Sequence, residues 1–142
     1  MYDSHGHANA LKIDVIRRPL TKCHGLWLPD TRTIVLRAGM RPNREHEVLA
    51  HEIGHAVAGH EGDSSANEVA ADHYASRRLI DRRDYEAAIL STRSLLEAAQ
   101  QLGVTTRMLR AYINGTVALG APSYLASRLL AVADCPATCN LA

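Results

Sequence analysis

The chain of 142 residues contains no phenylalanine and only one tryptophan and five tyrosines. Its core must therefore be assembled from Leu, Ile, Val and Ala, a composition that suits packed helices. An excess of one charge is also missing. Sixteen Lys and Arg stand against fifteen Asp and Glu, so no global electrostatic argument favours a nucleic-acid or membrane partner. No apolar run approaches the roughly 20 residues that cross a bilayer. The N-terminus, MYDSHGHANA, lacks a basic stretch followed by an apolar one, so no secretory signal is read. The cysteines, Cys23, Cys135 and Cys139, are odd in number and offer no disulfide framework. Disorder is excluded by the 46% of hydrophobic residues. These absences leave a soluble cytoplasmic protein with no membrane partner, a single domain over 1–142.

Residues 3–10 are read as a short helix, and Ile13, Val15 and Ile16 as a strand. In GLWLPDTRTIVLRAG two apolar runs flank Pro29-Asp30-Thr31-Arg32, which predicts a hairpin over 25–29 and 33–37. Asn43 is the expected N-cap of a helix running to about residue 59. A second helix is expected over 66–80, capped by Ser64 or Ser65, and a third, capped by Asp81, to about Leu90. From Ser91 three more helices are expected, broken at Gly103 and at Gly120-Ala121-Pro122, with an irregular tail after Ala133.

Chemistry concentrates in LAHEIGHAVAGH, residues 49–60. His51 and His55 stand i, i+4, so on a helix both imidazoles leave the same face and can reach one ion. Glu52 lies about 100° round the helix, out of that pair but able to reach a water on the metal. This is the zincin arrangement, in which a metal acidifies water and a glutamate takes its proton. Leu49, Ile53, Ala56 and Val57 are expected to form an apolar face opposite the histidines, and Gly54 in mid-helix suggests a closely packed neighbour. His-Glu-x-x-His also arises by chance in unrelated helices, so a third ligand is needed. NEVAAD, residues 67–72, supplies it: Glu68 and Asp72 are again i, i+4. Glu68 is the candidate third ligand, and Asp72 is placed to accept the free ring N–H of a ligand histidine. Metzincins place their third ligand six residues beyond the second histidine, after a glycine three residues beyond it. Those positions are Glu61 and Ala58, with the glycine shifted to Gly59, so that assignment is disfavoured. His60 is read as a bystander at the helix end. His46, five residues before His51, lies off its face, and His5, His7, His24 and His73 lack a partner at ligand spacing and are read as surface residues.

HEIGH followed by NEVAAD resembles the gluzincin pattern. With TRTIVLRAGM, EVLAHEIGHAVAGH and EVAADHYASRRLI around it, the chain resembles the ImmA/IrrE-type metallopeptidases over roughly residues 10–115. The resemblance implies a compact zincin-like α+β fold, with a small sheet packed on the active-site helix and a helix-turn-helix-like segment after it. It further implies a zinc-dependent endopeptidase, one Zn2+ held by His51, His55 and Glu68, with Glu52 as proton carrier. The implied partner is a helix-turn-helix transcriptional repressor of a phage, mobile element or stress regulon. The sequence departs from many relatives at Ala70, where they carry a further acidic residue, and at RLIDRRDY, where they carry Leu-Leu-Met-Pro. His73 and Tyr74 are near enough in sequence to be candidates for oxyanion or substrate contacts.

AAQQLGVTTRMLRAYI, residues 98–113, fits a helix-turn-helix pattern. Ala99, Leu102, Val104, Leu109 and Tyr112 would face inward, with Thr105, Thr106, Arg107 and Arg110 outward. The nearby charges are only modestly basic, so a structural or protein-docking use is favoured over DNA binding. The chain accordingly reads as a metallopeptidase core, 1–90, and a helical part, 91–142. The alternatives are a non-catalytic metal-binding docking module and a DNA-binding regulator using residues 91–115.

Overall fold

A computed structural model describes residues 1–118. The predicted break at Gly120-Ala121-Pro122, the helix beyond it, the irregular tail, Cys135 and Cys139 lie outside the described residues. Among the described residues the order is α1 (Ser4–Ala10), β1 (Asp14–Arg18), β2 (Gly25–Leu28), β3 (Thr33–Arg37), α2 (Pro42–Ala58), α3 (Ser65–Leu79), α4 (Arg82–Ser91), α5 (Leu95–Leu102) and α6 (Thr106–Ala118). The fold is α+β, as expected. The chain divides into two compact units, Met1–Leu79 and Ile80–Ala142, so the division precedes α4 rather than following it near residue 90.

In the first unit the predicted hairpin forms: β2 runs antiparallel to β3, with Trp27 opposite Ile34 and Leu26 opposite Val35. β1 pairs with the other edge of β3, in parallel, giving the order β1-β3-β2. β3 is thus central, and its Ile34, Val35 and Leu36 are buried. Ile34 and Leu36 join Ala8, Ile13, Val48, Leu49 and Ile53 in one core, so α1 and α2 pack on the sheet. α1 is capped by Asp3, whose side chain accepts from the Gly6 N–H.

Two details of α2 differ from expectation. Pro42 occupies its first turn, where a missing N–H costs nothing, and Arg41 takes the cap position without a side-chain bond, displacing Asn43 from that role. Val57 is 52% exposed: at roughly 80° from Leu49 round the helix it lies past the edge of the apolar stripe. Gly54 behaves as expected. A Cβ there would meet the Ala71 Cα and carbonyl oxygen, both at 3.1 Å, so α2 and α3 approach backbone to backbone.

The second unit is helical where it is described. Asp81 accepts from the Arg83 N–H at 2.8 Å and starts α4. Ser94 accepts from the Glu97 N–H while Glu97 accepts from the Arg93 N–H, a reciprocal cap for α5. Gly103, with φ of 68°, ends that helix in the left-handed region.

Candidate metal centre

The helical periodicity of α2 determines where the site lies. Ala50 and Gly54 turn toward α3, Val48 and Glu52 turn toward β2, and His51 and His55 fall between these two directions. The imidazoles therefore enter the space between α3 and the edge strand. Their Nε2 atoms are 3.1 Å apart. From α3, Glu68 faces both: Oε2 is 3.3 Å from the His51 Nε2 and Oε1 is 3.0 Å from the His55 Nε2. The histidine side chains are 13% and 8% exposed and that of Glu68 37%, so the group opens to solvent on the carboxylate side.

Asp72 Oδ1 is 2.8 Å from the His51 Nδ1. An ionised carboxylate only accepts, so Nδ1 carries the proton and the Nε2 of the neutral ring presents a bare lone pair. In the neutral ring that lone pair faces the Glu68 carboxylate and a second imidazole, a gathering of acceptors that either a proton on Nε2 or a bound cation relieves. Ligand atoms on a tetrahedral ion with bonds of about 2.0–2.1 Å stand about 3.3 Å apart. The observed spacings fit that geometry, and these three residues are the cluster of the described chain whose donor atoms converge within 4.8 Å.

Glu52 is 7% exposed. Its carboxyl lies against Gly25 of β2, where a Cβ would come within 2.8 Å of Oε1 and 2.7 Å of Val48 Cγ1, so only glycine fits that position without displacement. Burial pushes the Glu52 carboxyl up to about 7; His51 opposes the shift, the carboxylates of Glu68 and Asp63 add to it, and a backbone hydrogen bond from Trp27 opposes it. Burial works against charge on His51 too, but the bond to Asp72 and the neighbouring carboxylates outweigh it and raise its pKa. His55 moves down, chiefly through burial and then through His51 beside it.

Several placements depart from the expectations above. His60 is not a bystander: its Nδ1 is 3.1 Å from the His55 Nδ1. The signal was Gly59, which takes φ of 66° and turns the chain back over the helix end. Gly25 and Trp27 were read as hairpin residues without any link to Glu52, because sequence gives no measure of which helix side chain a strand will meet. The Nδ1 of His46 is 2.6 Å from the hydroxyl of buried Ser4. His7 bonds the Tyr2 hydroxyl at 2.8 Å, and His5 stands 3.3 Å from Glu45. Tyr74 packs against Gly54 and stacks with His7, with Arg78 over its ring. Its hydroxyl is buried without a hydrogen-bond partner among the described residues, and with Asp72 committed to His51 the ring lies roughly 200° round α3 from that contact. His73 is half-buried and gives its carbonyl to Ser76. Neither residue joins the cluster.

In the second unit Ala99, Leu109 and Tyr112 are buried, Leu102 and Val104 half-buried, and Arg107 and Arg110 exposed. Thr105, expected on the outer face, instead accepts from the Met108 N–H through its hydroxyl, which is a helix-capping role.

The peptidase family model described as the IrrE N-terminal-like domain matches residues 8–114. The chain belongs to this family. The IrrE-like match spans both the ligand cluster on α2 and α3 and most of the described helices of the second unit. No curated protein matches the chain. Membership of a peptidase family agrees with a His-His-Glu cluster that could hold a metal ion. Among the described residues no helix is long and apolar enough to cross a membrane.

Proposed function

We propose that this IrrE-like chain is a zinc-dependent endopeptidase. The observation that carries the reading is the convergence of three ligand-type atoms, from His51, His55 and Glu68, beside a buried carboxyl one residue along the same helix. Two imidazole nitrogens and a carboxylate at tetrahedral spacing suit zinc better than the larger, oxygen-seeking cations. His51, His55 and Glu68 would hold the ion, with Asp72 keeping the His51 proton on Nδ1. Zinc bound there supplies a Lewis acid that acidifies water and polarises a peptide carbonyl. Glu52, buried beside the cluster, would accept a proton from the attacking water and deliver it to the leaving amine nitrogen. Among the described residues β2 pairs only with β3. An extended peptide added along its other side would run past Glu52, held by main-chain hydrogen bonds. Leu26 and Leu28, 40% and 37% exposed, alternate with Trp27 along that strand and offer apolar contacts.

The substrate we propose is a helix-turn-helix repressor, met in the cytoplasm; the resemblance to ImmA/IrrE-type enzymes supports that partner class. The test is metal analysis of the purified protein together with cleavage of a candidate repressor by wild type and Glu52→Gln. Stoichiometric zinc with cleavage lost in the variant supports the reading, and a protein that takes up no zinc overturns it. A biological effect undiminished in Glu52→Gln would favour a docking module instead, and undiminished cleavage would deny Glu52 its role. DNA binding through Arg107 and Arg110 is the weaker reading, and a salt-dependent DNA shift lost in Arg107→Ala and Arg110→Ala would revive it.

A further inference from the structure

We propose that His60 is a positioning residue of the metal site: it accepts the Nδ1 proton of His55 and so turns the His55 Nε2 lone pair toward the ion. The inference rests on the metal-site reading above and adds to it a second orienting partner. His51 has Asp72 at 2.8 Å on its Nδ1. His55 has no carboxylate at its Nδ1 in the described structure; the atom that meets it, at 3.1 Å, is the Nδ1 of His60. Two ring nitrogens at that distance share one proton. If His55 is to offer Nε2 beside the Nε2 of His51 and the Glu68 carboxylate, the shared proton belongs on His55, and His60 accepts it while keeping its own proton on Nε2.

The backbone places His60 for this task independently of the ring contact. The Gly59 N–H bonds the Ala56 carbonyl at 3.3 Å, and the His60 N–H bonds the His55 carbonyl at 3.1 Å. These are the two bonds of a Schellman closure, which always sets the second residue past the helix end against the residue five before it. In Schellman closures an apolar contact frequently fills that juxtaposition. Here two imidazoles fill it, their centroids 5.2 Å apart at an interplanar angle of 69°, an edge-on approach that directs nitrogen to nitrogen. The left-handed turn at Gly59 thus performs for His55 what the i, i+4 step from Glu68 to Asp72 performs for His51. One ligand is oriented by an anion from the neighbouring helix, the other by a neutral ring from its own helix end.

The test is zinc affinity by chelator competition, with histidine side-chain NMR, on wild type, His60→Ala and His60→Asn. In zinc-loaded wild type the His55 ring should carry its proton on Nδ1, with that N–H protected from exchange. His60→Ala should weaken zinc binding by about 10- to 100-fold, the usual cost of losing an orienting partner, and the protected N–H should vanish. His60→Asn, whose side-chain oxygen can accept the same bond, should recover a large part of the affinity, which a merely structural role would not predict. The proposal is overturned if His60→Ala binds zinc as wild type does, or if the His55 proton lies on Nε2. Failure of wild type itself to bind zinc would remove the metal-site reading and this inference with it, a result distinct from the other two.

Discussion

The two units use their polar residues in opposite ways. Among the described residues every buried polar or charged side chain, namely Ser4, Glu47, Glu52, His55 and Ser76, belongs to the first unit. In the second unit Asp81, Ser94 and Thr105 serve helix starts at the surface, and the interior is Leu95, Ala98, Ala99, Met108, Leu109, Ile113 and the tyrosine pair Tyr85 and Tyr112. A buried carboxyl or imidazole costs free energy unless it is paired, and folding alone gives no reason to collect several in one place. Of the five, Glu52 and His55 meet at the candidate metal centre, while Ser4 pairs with His46, Glu47 with Arg44 and Ser76 with the His73 carbonyl.

The comparison is most sharply tested at Glu52. Replacement by Gln keeps the shape, removes the proposed proton carrier and should lower kcat by about 10²- to 10⁴-fold, with zinc content unchanged by metal analysis. It should not destabilise the fold, because a buried carboxyl is exchanged for a neutral amide. Asp72→Ala comes next: chelator competition should show zinc held about 10- to 100-fold more weakly, and equal affinity would deny Asp72 its role.

How far that site could be read from sequence depended on what local geometry can express. His51, His55, Glu68 and Asp72 follow from helical spacing alone, since residues four apart share a face in any helix. The hairpin over 25–28 and 33–37 and the start of α4 at Asp81 follow equally from turn and cap residues. What spacing cannot express is contact between distant segments. The pairing of β1 with β3, the seat of Glu52 against Gly25 and the bond between His46 and buried Ser4 were invisible for that reason. Tyr74 was drawn toward the site by its place in the sequence, and its ring was claimed instead by the packing around Gly54. Gly59 was visible, but its meaning required the left-handed turn that returns His60 to His55.

Smaller effects sharpen the contrast further. Gly54→Ala gains about 1 kcal/mol of helix propensity and loses about 1–3 kcal/mol to overpacking against the Ala71 backbone. The net result should be a modest fall in the denaturation midpoint, whereas a gain in stability would show that α2 and α3 can separate at little cost. Acid should also act mainly on the first unit. Burial, and then the charge of His5, holds His46 below its ordinary 6.5, so the unfolded chain binds a proton that the folded chain refuses. The contribution of His46 is complete above pH 6.5 and falls as pH drops through 6.5 toward the folded value. Thermal midpoints at pH 7.5 and 5.5 should differ less in His46→Gln than in wild type, and an equal difference would place the acid sensitivity elsewhere. The smallest effect belongs to the second unit. Arg107→Ala with Arg110→Ala should leave zinc affinity unchanged and shift stability by no more than about 0.5 kcal/mol, as urea denaturation would show.

By itself the sequence determined the helices, the hairpin, the three donor residues and the orienting aspartate, because each depends on periodicity or on a residue's conformational preference within a few positions. Tertiary structure decided the rest: that α3 would lie close enough across Gly54 for Glu68 to face both imidazoles, that β2 would press its glycine against Glu52, and that Tyr74 would be spent on packing. These are contacts between surfaces that meet only when apolar burial draws the elements together, and no local pattern encodes which side chain will stand opposite which.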